Sequence, residues 1–500
     1  MEWFAFGIDP LLLFLEKNLT GILISSSPIS GPAKEGEQFP LHPYEDRFKA
    51  MAYCDDVKPA ICSLNEFLIA DEGAALFERS AGTKLHRDPL SNKCKFLPLG
   101  KWRVKLKQED IPTPYMRLTD TLDMVGVQLC STWSKTRASN GATLQKKISS
   151  LIGSWRAGKF MPLILRPRSA NIFALSKVWF RCASVNLREA DFSAINSSLK
   201  KWVYADLLLK PDERTLFRPI WYGGLGLASV KHKSIAYLIR TFMELAANSN
   251  YHQSPFLSRL YRVHILQEDT PCPPSPSYYS NHFYQYILSA KNDGKNIIDM
   301  TTKQWYHYLI DKELLKEIKE NGTEIYCLCR TERLFPNIDW RTTWGEIRYP
   351  FLSSNTATFL WKLLHELLPT EERLSMTVGN IPSTCRFECA DQVATLMHCF
   401  FKCHLTNEVG SWVLNFVHNA CPSVQEEKVL KLDFSAGNSL FWVTANTLQY
   451  LWNSRVSKKK VNLHSCIAHL KIEAFKLSDT THEHLVSSIL EIIEPEDHQV

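Results

Sequence analysis

Apolar positions recur with a helical period along most of this chain, and the places where the period breaks carry the information. Asp9-Pro10 supplies an N-cap and a proline at the first helical position, followed by Leu11, Leu12, Phe14 and Leu15. A second helix is predicted over 64–80, with Phe67, Leu68, Ala74, Ala75 and Leu76 as packing positions and Gly82 closing it. Between the two, a Ser/Pro/Gly-rich loop at 25–43 leads into "FKAMAYCDDVKPAI" at 48–61. There Met51 and Tyr53 alternate before an acidic tip and Val57 and Ile61 follow it, the pattern of strand, turn, strand. Short strands are expected at 95–99 and 124–129. From Gly141 the pattern is helical. Over 187–204, Phe192, Ile195, Leu199, Trp202 and Val203 form one apolar face opposite a basic one. "WYGGLGLASV" at 221–230 is a turn, because its three glycines break any helix, and an apolar helix follows at 235–247. "TPCPPSPS" at 270–277 is a proline-rich linker. Mixed helix continues to about 341, and from Trp344 a helical stretch leads into a Cys/His cluster at 385–403. The last hundred residues read as helices, with the basic tract Lys458–Lys460 as a solvated turn.

Composition adds limits. Five hundred residues exceed one ordinary core, so two or three domains are expected, and 45% hydrophobic with 22% charged residues is the balance of a folding chain. The run "LLLFL" near the start is far short of a membrane span, and no basic leader or cleavage site precedes it. Fourteen cysteines scattered over this length form no disulfide framework. The expectation is an intracellular protein, nuclear or cytoplasmic, neither secreted nor membrane-bound. The net charge of +6 is unevenly placed: residues 134–218 hold 16 Lys/Arg against 5 Asp/Glu, leaving −5 for the remainder. A solvated helical face would account for this, as would a surface facing nucleic acid.

Asp55 and Asp56 are the first candidate chemistry. Adjacent carboxylates at a tight tip suit an Asx-type turn. They also suit a two-metal polymerase site, where hard Mg²⁺ ions take carboxylate oxygens from a rigid hairpin.

The order of motifs resembles the reverse transcriptase of LINE-type (non-LTR) retrotransposons, from the middle of the palm to the C-terminus. "FAFGIDPLLLFLEKNLTGI" is similar to the helix before that family's catalytic hairpin, and "AYCDDV" to its Tyr-Ala-Asp-Asp-Val, with Cys54 in place of alanine. "SAGTKLHRDPLSNKCKFLPLG", "LDMVGVQL" and "YGGLGLASV" resemble the segments that follow, in the same order. The resemblance implies that Asp55 and Asp56 bind Mg²⁺, that Tyr53 lines the primer side, and that Lys84 and Lys93 lie near the nucleotide or primer. It places residues 134–218 in the thumb, gripping the RNA template and DNA primer through their phosphates. Arg156, Lys159, Arg166, Arg168 and Lys177 are the contact candidates there, together with Trp155, while the tryptophans in general read as core.

Two departures bear on activity. Pro59 falls where the second strand should run, so that strand is short or at an edge. The family's further catalytic aspartate belongs to an earlier strand. Of the aspartates before the hairpin, Asp9 reads as a cap and Asp46 as too near the hairpin to form a separate strand of the palm. The expectation is a fragment that does not polymerise by itself, its N-terminal polymerase portion missing. The alternative is a non-enzymatic nucleic-acid-binding protein.

"CRFECADQVATLMHCFFKC" sets Cys385, Cys389, His398 and Cys403 in a Cys-x₃-Cys-x₈-His-x₄-Cys pattern, four soft ligands suited to a closed Zn²⁺ site. Buried cysteines without metal are the alternative. The segment resembles the family's zinc-binding region, with one residue more in the first spacing. Cys399 and His365 read as structural. The expected fold is α+β and mostly α. It comprises a partial antiparallel palm sheet (1–130), a basic helical thumb and connection (131–265), a linker (266–282), a helical connector (283–340), a zinc-binding domain (341–420) and C-terminal helices (421–500).

Overall fold

The computed structural model describes residues 11–20, 22–25, 45–48, 50–53, 56–81, 84, 93–124, 126–155, 161–247, 254–268, 281–318, 324–326, 329–387, 389, 392–433, 437–478 and 483–493. The fold is mostly helical. It divides into two compact units, each gathered from separate stretches of chain. One comprises Met1–Ser149, Ser176–Ile195 and Val230–Ile310; the other comprises Ser150–Leu175, Asn196–Ser229 and Asp311–Val500. The described strands pair in five two-stranded ladders, all antiparallel except Lys95–Phe96 with Arg117–Leu118. The described strands run two to four residues each. No described helix is long and apolar enough to cross a membrane.

In the first unit, Leu11, Leu15 and Leu19 bury one helical face against Ile61, Phe67, Ala70 and Ile111. The Phe67 ring meets Phe96 edge-on at 4.9 Å. The helix Leu64–Ala81 runs one residue past its expected end. Its Glu66, 3% exposed, accepts from the backbone N–H of Thr20 at 2.9 Å and of Cys62 at 2.7 Å. Burial works to raise the Glu66 pKa, but those donors prevail and hold it below its ordinary value.

The expected hairpin is present. Ala50–Tyr53 pairs with Asp56–Pro59, placing Tyr53 opposite Asp56 and Pro59 opposite Ala50 at the far end, where a missing N–H interrupts no inner rung. Val57 packs against the Leu11–Ile111 cluster. Cys54, Asp55 and the side chains of Tyr53 and Asp56 lie outside the described residues. Asp46 sits on a short strand, Glu45–Phe48, opposite Ile24 in a ladder with Ile22–Ser25. Four residues are enough to pair there before the hairpin begins. The strand expected at 124–129 is instead the hairpin Thr121–Met124 with Val127–Cys130, and Gly126 between them has φ +79°.

The second core of this unit surrounds the helix Val230–Ala247, five residues longer at its start than its pattern indicated. Phe242 and Ile239 are fully buried there with Leu260, Ile287 and Trp305. The linker at 270–277 lies outside the described residues.

In the second unit the glycine-rich turn has a specific seat. The Gly223 carbonyl accepts from Trp361 Nε1 at 2.9 Å and from His365 Nε2 at 2.7 Å, which assigns the ring proton to Nε2. Trp344 stacks on His365 at 4.7 Å and covers Gly223, where a Cβ would lie 2.5 Å from the indole. Burial pushes the His365 imidazole down to about 3, so it is neutral and structural. At Gly224 a Cβ would lie 1.8 Å from the Arg218 carbonyl oxygen. Arg218 itself is buried and pairs with Glu332 at 2.9 Å. Glu332 also accepts from Trp344 Nε1 at 3.0 Å and from the Cys329 N–H at 2.7 Å. Gly224→Ala is therefore expected to destabilise the protein by about 2 kcal/mol or more, as a backbone clash in a packed site does. Gly153→Ala, with no atom within 4 Å of the added Cβ, is expected to leave stability unchanged or raised. Thermal unfolding of the two variants beside the parent checks both.

Candidate metal centre

The Cys/His segment folds as a knuckle followed by a turn. Thr384 and Val393 form an antiparallel bridge, and the Cys385 N–H donates to the Gln392 carbonyl at 2.8 Å. The Gln392 N–H donates back to the Cys389 carbonyl at 3.0 Å, so both cysteines face the same side of a short loop. His398 opens a π-helical turn, His398–Lys402, and its N–H donates to Thr395 Oγ1 at 3.1 Å. The wider i→i+5 spacing brings the Cys403 N–H to the His398 carbonyl at 2.8 Å. His398 and Cys403 therefore stand together. The helix Asn407–Ala420 packs against this turn through Gly410, where a Cβ would lie 2.3 Å from the Phe400 carbonyl oxygen.

The four expected ligands meet. One ligand atom from each of Cys385, Cys389, His398 and Cys403 lies within 4.8 Å of all the others. Cys403 Sγ is 4.0 Å from Cys385 Sγ and 3.7 Å from Cys389 Sγ. These separations exclude disulfides, whose sulfurs are ~2.05 Å apart. They agree with the edge of a tetrahedron of Zn–S bonds near 2.3 Å, which is about 3.8 Å. Both ring nitrogens of His398 are buried without a hydrogen-bond partner, a costly state that coordination of one nitrogen relieves. Burial also holds the His398 imidazole below its ordinary pKa, in the neutral form that ligates. The donor set and its geometry fit Zn²⁺, which all four residues would hold as a closed structural site.

Arg455, on the helix Gly437–Val456, completes the surroundings. It is 2% exposed, and its Nη1 lies 3.1 Å from Cys403 Sγ and 3.6 Å from Cys385 Sγ. Its Nη2 donates to Glu371 Oε2 at 2.9 Å, and Arg386 reaches the other oxygen of Glu371 at 3.0 Å. Burial pushes the Cys403 thiol up to about 12. At Cys385 burial acts in the same direction, but the Phe387 backbone N–H and Arg455 outweigh it and hold that thiol below its ordinary value. Cys399 is buried, faces the Ala394 carbonyl at 3.8 Å, and is core as expected. Sequence reasoning missed Arg455 and Glu371. The available signal was an arginine on a helix whose other faces are apolar, since such a charge is buried only against a partner.

The remaining candidates fall in different places. Lys84, Lys93, Arg168 and Lys177 are exposed. Arg156 and Lys159 lie outside the described residues. Arg166, expected at a phosphate, is instead buried, bonded to the Met161 carbonyl at 2.9 Å, the Val203 carbonyl at 2.8 Å and the Asp206 carboxylate. Its donors are taken by the protein. Trp155 packs on Trp202 with centroids 5.0 Å apart, a core contact.

Residues 323–410 match the family described as zinc-binding in reverse transcriptase. No curated protein matches the chain. The matched segment contains all four ligands and lies across the expected connector and zinc-binding domain. It supports a reverse-transcriptase-related protein. The full chain, stripped of metal and reloaded, is expected to hold one zinc per molecule by elemental analysis. Cys403→Ser is expected to hold well under half of one, and Cys399→Ser to match the parent.

Proposed function

We propose that this chain carries the C-terminal part of a LINE-type retrotransposon reverse transcriptase, with a zinc-organised module that contacts nucleic acid. The observation that carries the reading is the convergence of Cys385, Cys389, His398 and Cys403 within a segment matching the zinc-binding family of reverse transcriptases. In this reading residues 1–130 belong to the palm and 131–265 to the thumb. Asp55 and Asp56 are the Mg²⁺ ligands of a nucleotidyl-transfer site by resemblance, on a hairpin whose strands end at Tyr53 and Asp56. Such a site takes a further carboxylate from an earlier strand. In this reading Asp46, on the short strand Glu45–Phe48 directly before the hairpin, is not that carboxylate, and the chain by itself is expected to give no templated primer extension with Mg²⁺. Extension by the purified 500-residue protein would overturn that.

A specific observation favours a nucleic-acid-binding role for the zinc module, with or without catalysis. The Val461 N–H donates to the Leu405 carbonyl at 3.1 Å, which pins the segment after the Gly437–Val456 helix beside the last zinc ligand. Exposed Lys458, Lys459 and Lys460 therefore share a neighbourhood with exposed Lys402 and His404. A row of lysines at the margin of a rigid module suits a phosphate backbone read without sequence preference. In this reading the tract is a contact surface, and Arg168 and Lys177 serve in the same way. Replacing Lys458, Lys459 and Lys460 by alanine is expected to weaken duplex binding. It is also expected to reduce the slope of log K against log salt by about 0.9 for each phosphate no longer neutralised. Asp55→Ala with Asp56→Ala should leave binding intact. A parent chain that binds no duplex at low salt would remove this reading.

A further inference from the structure

The metal ligands lie between residues 385 and 403, yet among the described residues the guanidinium at their sulfurs comes from residue 455, beyond the matched segment. Three thiolates and a neutral imidazole around a divalent cation leave one negative charge, in a site where Cys385, His398 and Cys403 are buried. A negative charge away from water is stable only when paired and hydrogen-bonded. The guanidinium of Arg455 supplies both. Nη1 faces Cys403 Sγ and Cys385 Sγ together, and Nη2 faces Cys385 Sγ at 3.6 Å as well as Glu371 Oε2. A thiolate is a far better acceptor for such a donor than a thiol, so the fork is built for the metal-bound form of the site. The guanidinium also lies over the Phe387 ring, 4.7 Å from its centroid, between the first two cysteines. Glu371 carries the opposite charge and is shared with Arg386, so ligand set, metal, Glu371 and the two arginines sum to zero.

We propose that Arg455 is a positioning residue of the metal centre. Its guanidinium offsets the charge of the thiolate-bound cation, fixes the directions of the Cys385 and Cys403 sulfurs, and ties the knuckle to the Gly437–Val456 helix. The proposal rests on the zinc reading above. It makes metal affinity a property of two distant stretches of chain rather than of the cysteine segment by itself. Lysine is a poor substitute at this position, because one ammonium does not reach two sulfurs and a carboxylate in the planar fork that guanidinium presents.

The test uses the full chain, reduced and metal-free, titrated first with Co²⁺ as a spectroscopic probe and then with zinc against a chromophoric chelator. The parent is expected to bind one Co²⁺ with tetrahedral d–d bands and a thiolate-to-cobalt charge-transfer band. In Arg455→Gln zinc affinity is expected to fall ten- to a hundredfold, the range typical for loss of a partner behind a metal ligand. The charge-transfer band should move to lower energy, because sulfurs without the guanidinium donors give up electrons more readily. Arg455→Lys is expected to lie between the two. Parent-like affinity and an unshifted band in Arg455→Gln would overturn the proposal. If that variant loses its helical far-UV signal, Arg455→Lys decides, and parent-like affinity with an unshifted band there overturns it equally. A parent chain that takes up neither Co²⁺ nor zinc would instead remove the zinc reading itself.

Discussion

The carbonyl of Gly223 is the acceptor on which the second unit turns. Two aromatic donors, Trp361 and His365, converge on it from one helix, and Trp344 closes over the same glycine. Glycine is required there by the covering ring, since a Cβ at 223 would lie 2.5 Å from the Trp344 indole. The neighbouring Gly224, against the Arg218 carbonyl, extends the same demand by one residue. That helix, Ser354–Leu364, in turn packs on the Gly437–Val456 helix: Thr356 Oγ1 lies 2.8 Å from Gln449 Oε1 and 3.2 Å from Asn446 Oδ1. The metal ligands are held against the far end of that second helix. The placement of the cysteines thus traces back, contact by contact, to a turn with no room for a methyl group.

Charge burial follows a consistent rule in this unit. Arg166 meets Asp206, Arg218 meets Glu332, Lys431 meets Glu366 and Arg455 meets Glu371, each cation at most 5% exposed at its side chain. Buried pairs of this kind add little net stability, because desolvation offsets much of the attraction. Removing one partner is another matter, since it strands a charge at a cost of about 3–5 kcal/mol. These pairs act less as glue than as conditions the fold must meet, and the arginines among them are not available for phosphates.

Much of this was legible in the sequence. The period of apolar residues located the helices Leu64–Ala81 and Glu189–Val203 to within two residues. Alternation around Met51 and Tyr53 located the hairpin, and cysteine spacing located all four ligands. What was not legible is long-range pairing. A count of basic residues does not separate Arg166, which is buried, from Arg168, which is exposed. Nothing local to Arg455 points to cysteines fifty-two and seventy positions earlier. The three glycines of 223–226 declared a turn, but not that Trp361 and His365 would occupy the space they leave. Periodicity reports which face is buried. It is silent on what the face is buried against.

Because each unit is gathered from separate stretches, the chain passes from one to the other at 149/150, 175/176, 195/196, 229/230 and 310/311. Synthesis proceeds from the N-terminus, so the glycine turn is made long before its seat: Gly223 waits 138 residues for Trp361 and 142 for His365. Arg455 closes on the cysteines later still. Contacts so distant in sequence must overcome the entropy of closing long loops before they return any stability, which makes for slow folding. Until residue 455 has emerged, the helices of the second unit have apolar faces without partners. That interval is one in which chaperones have surface to hold.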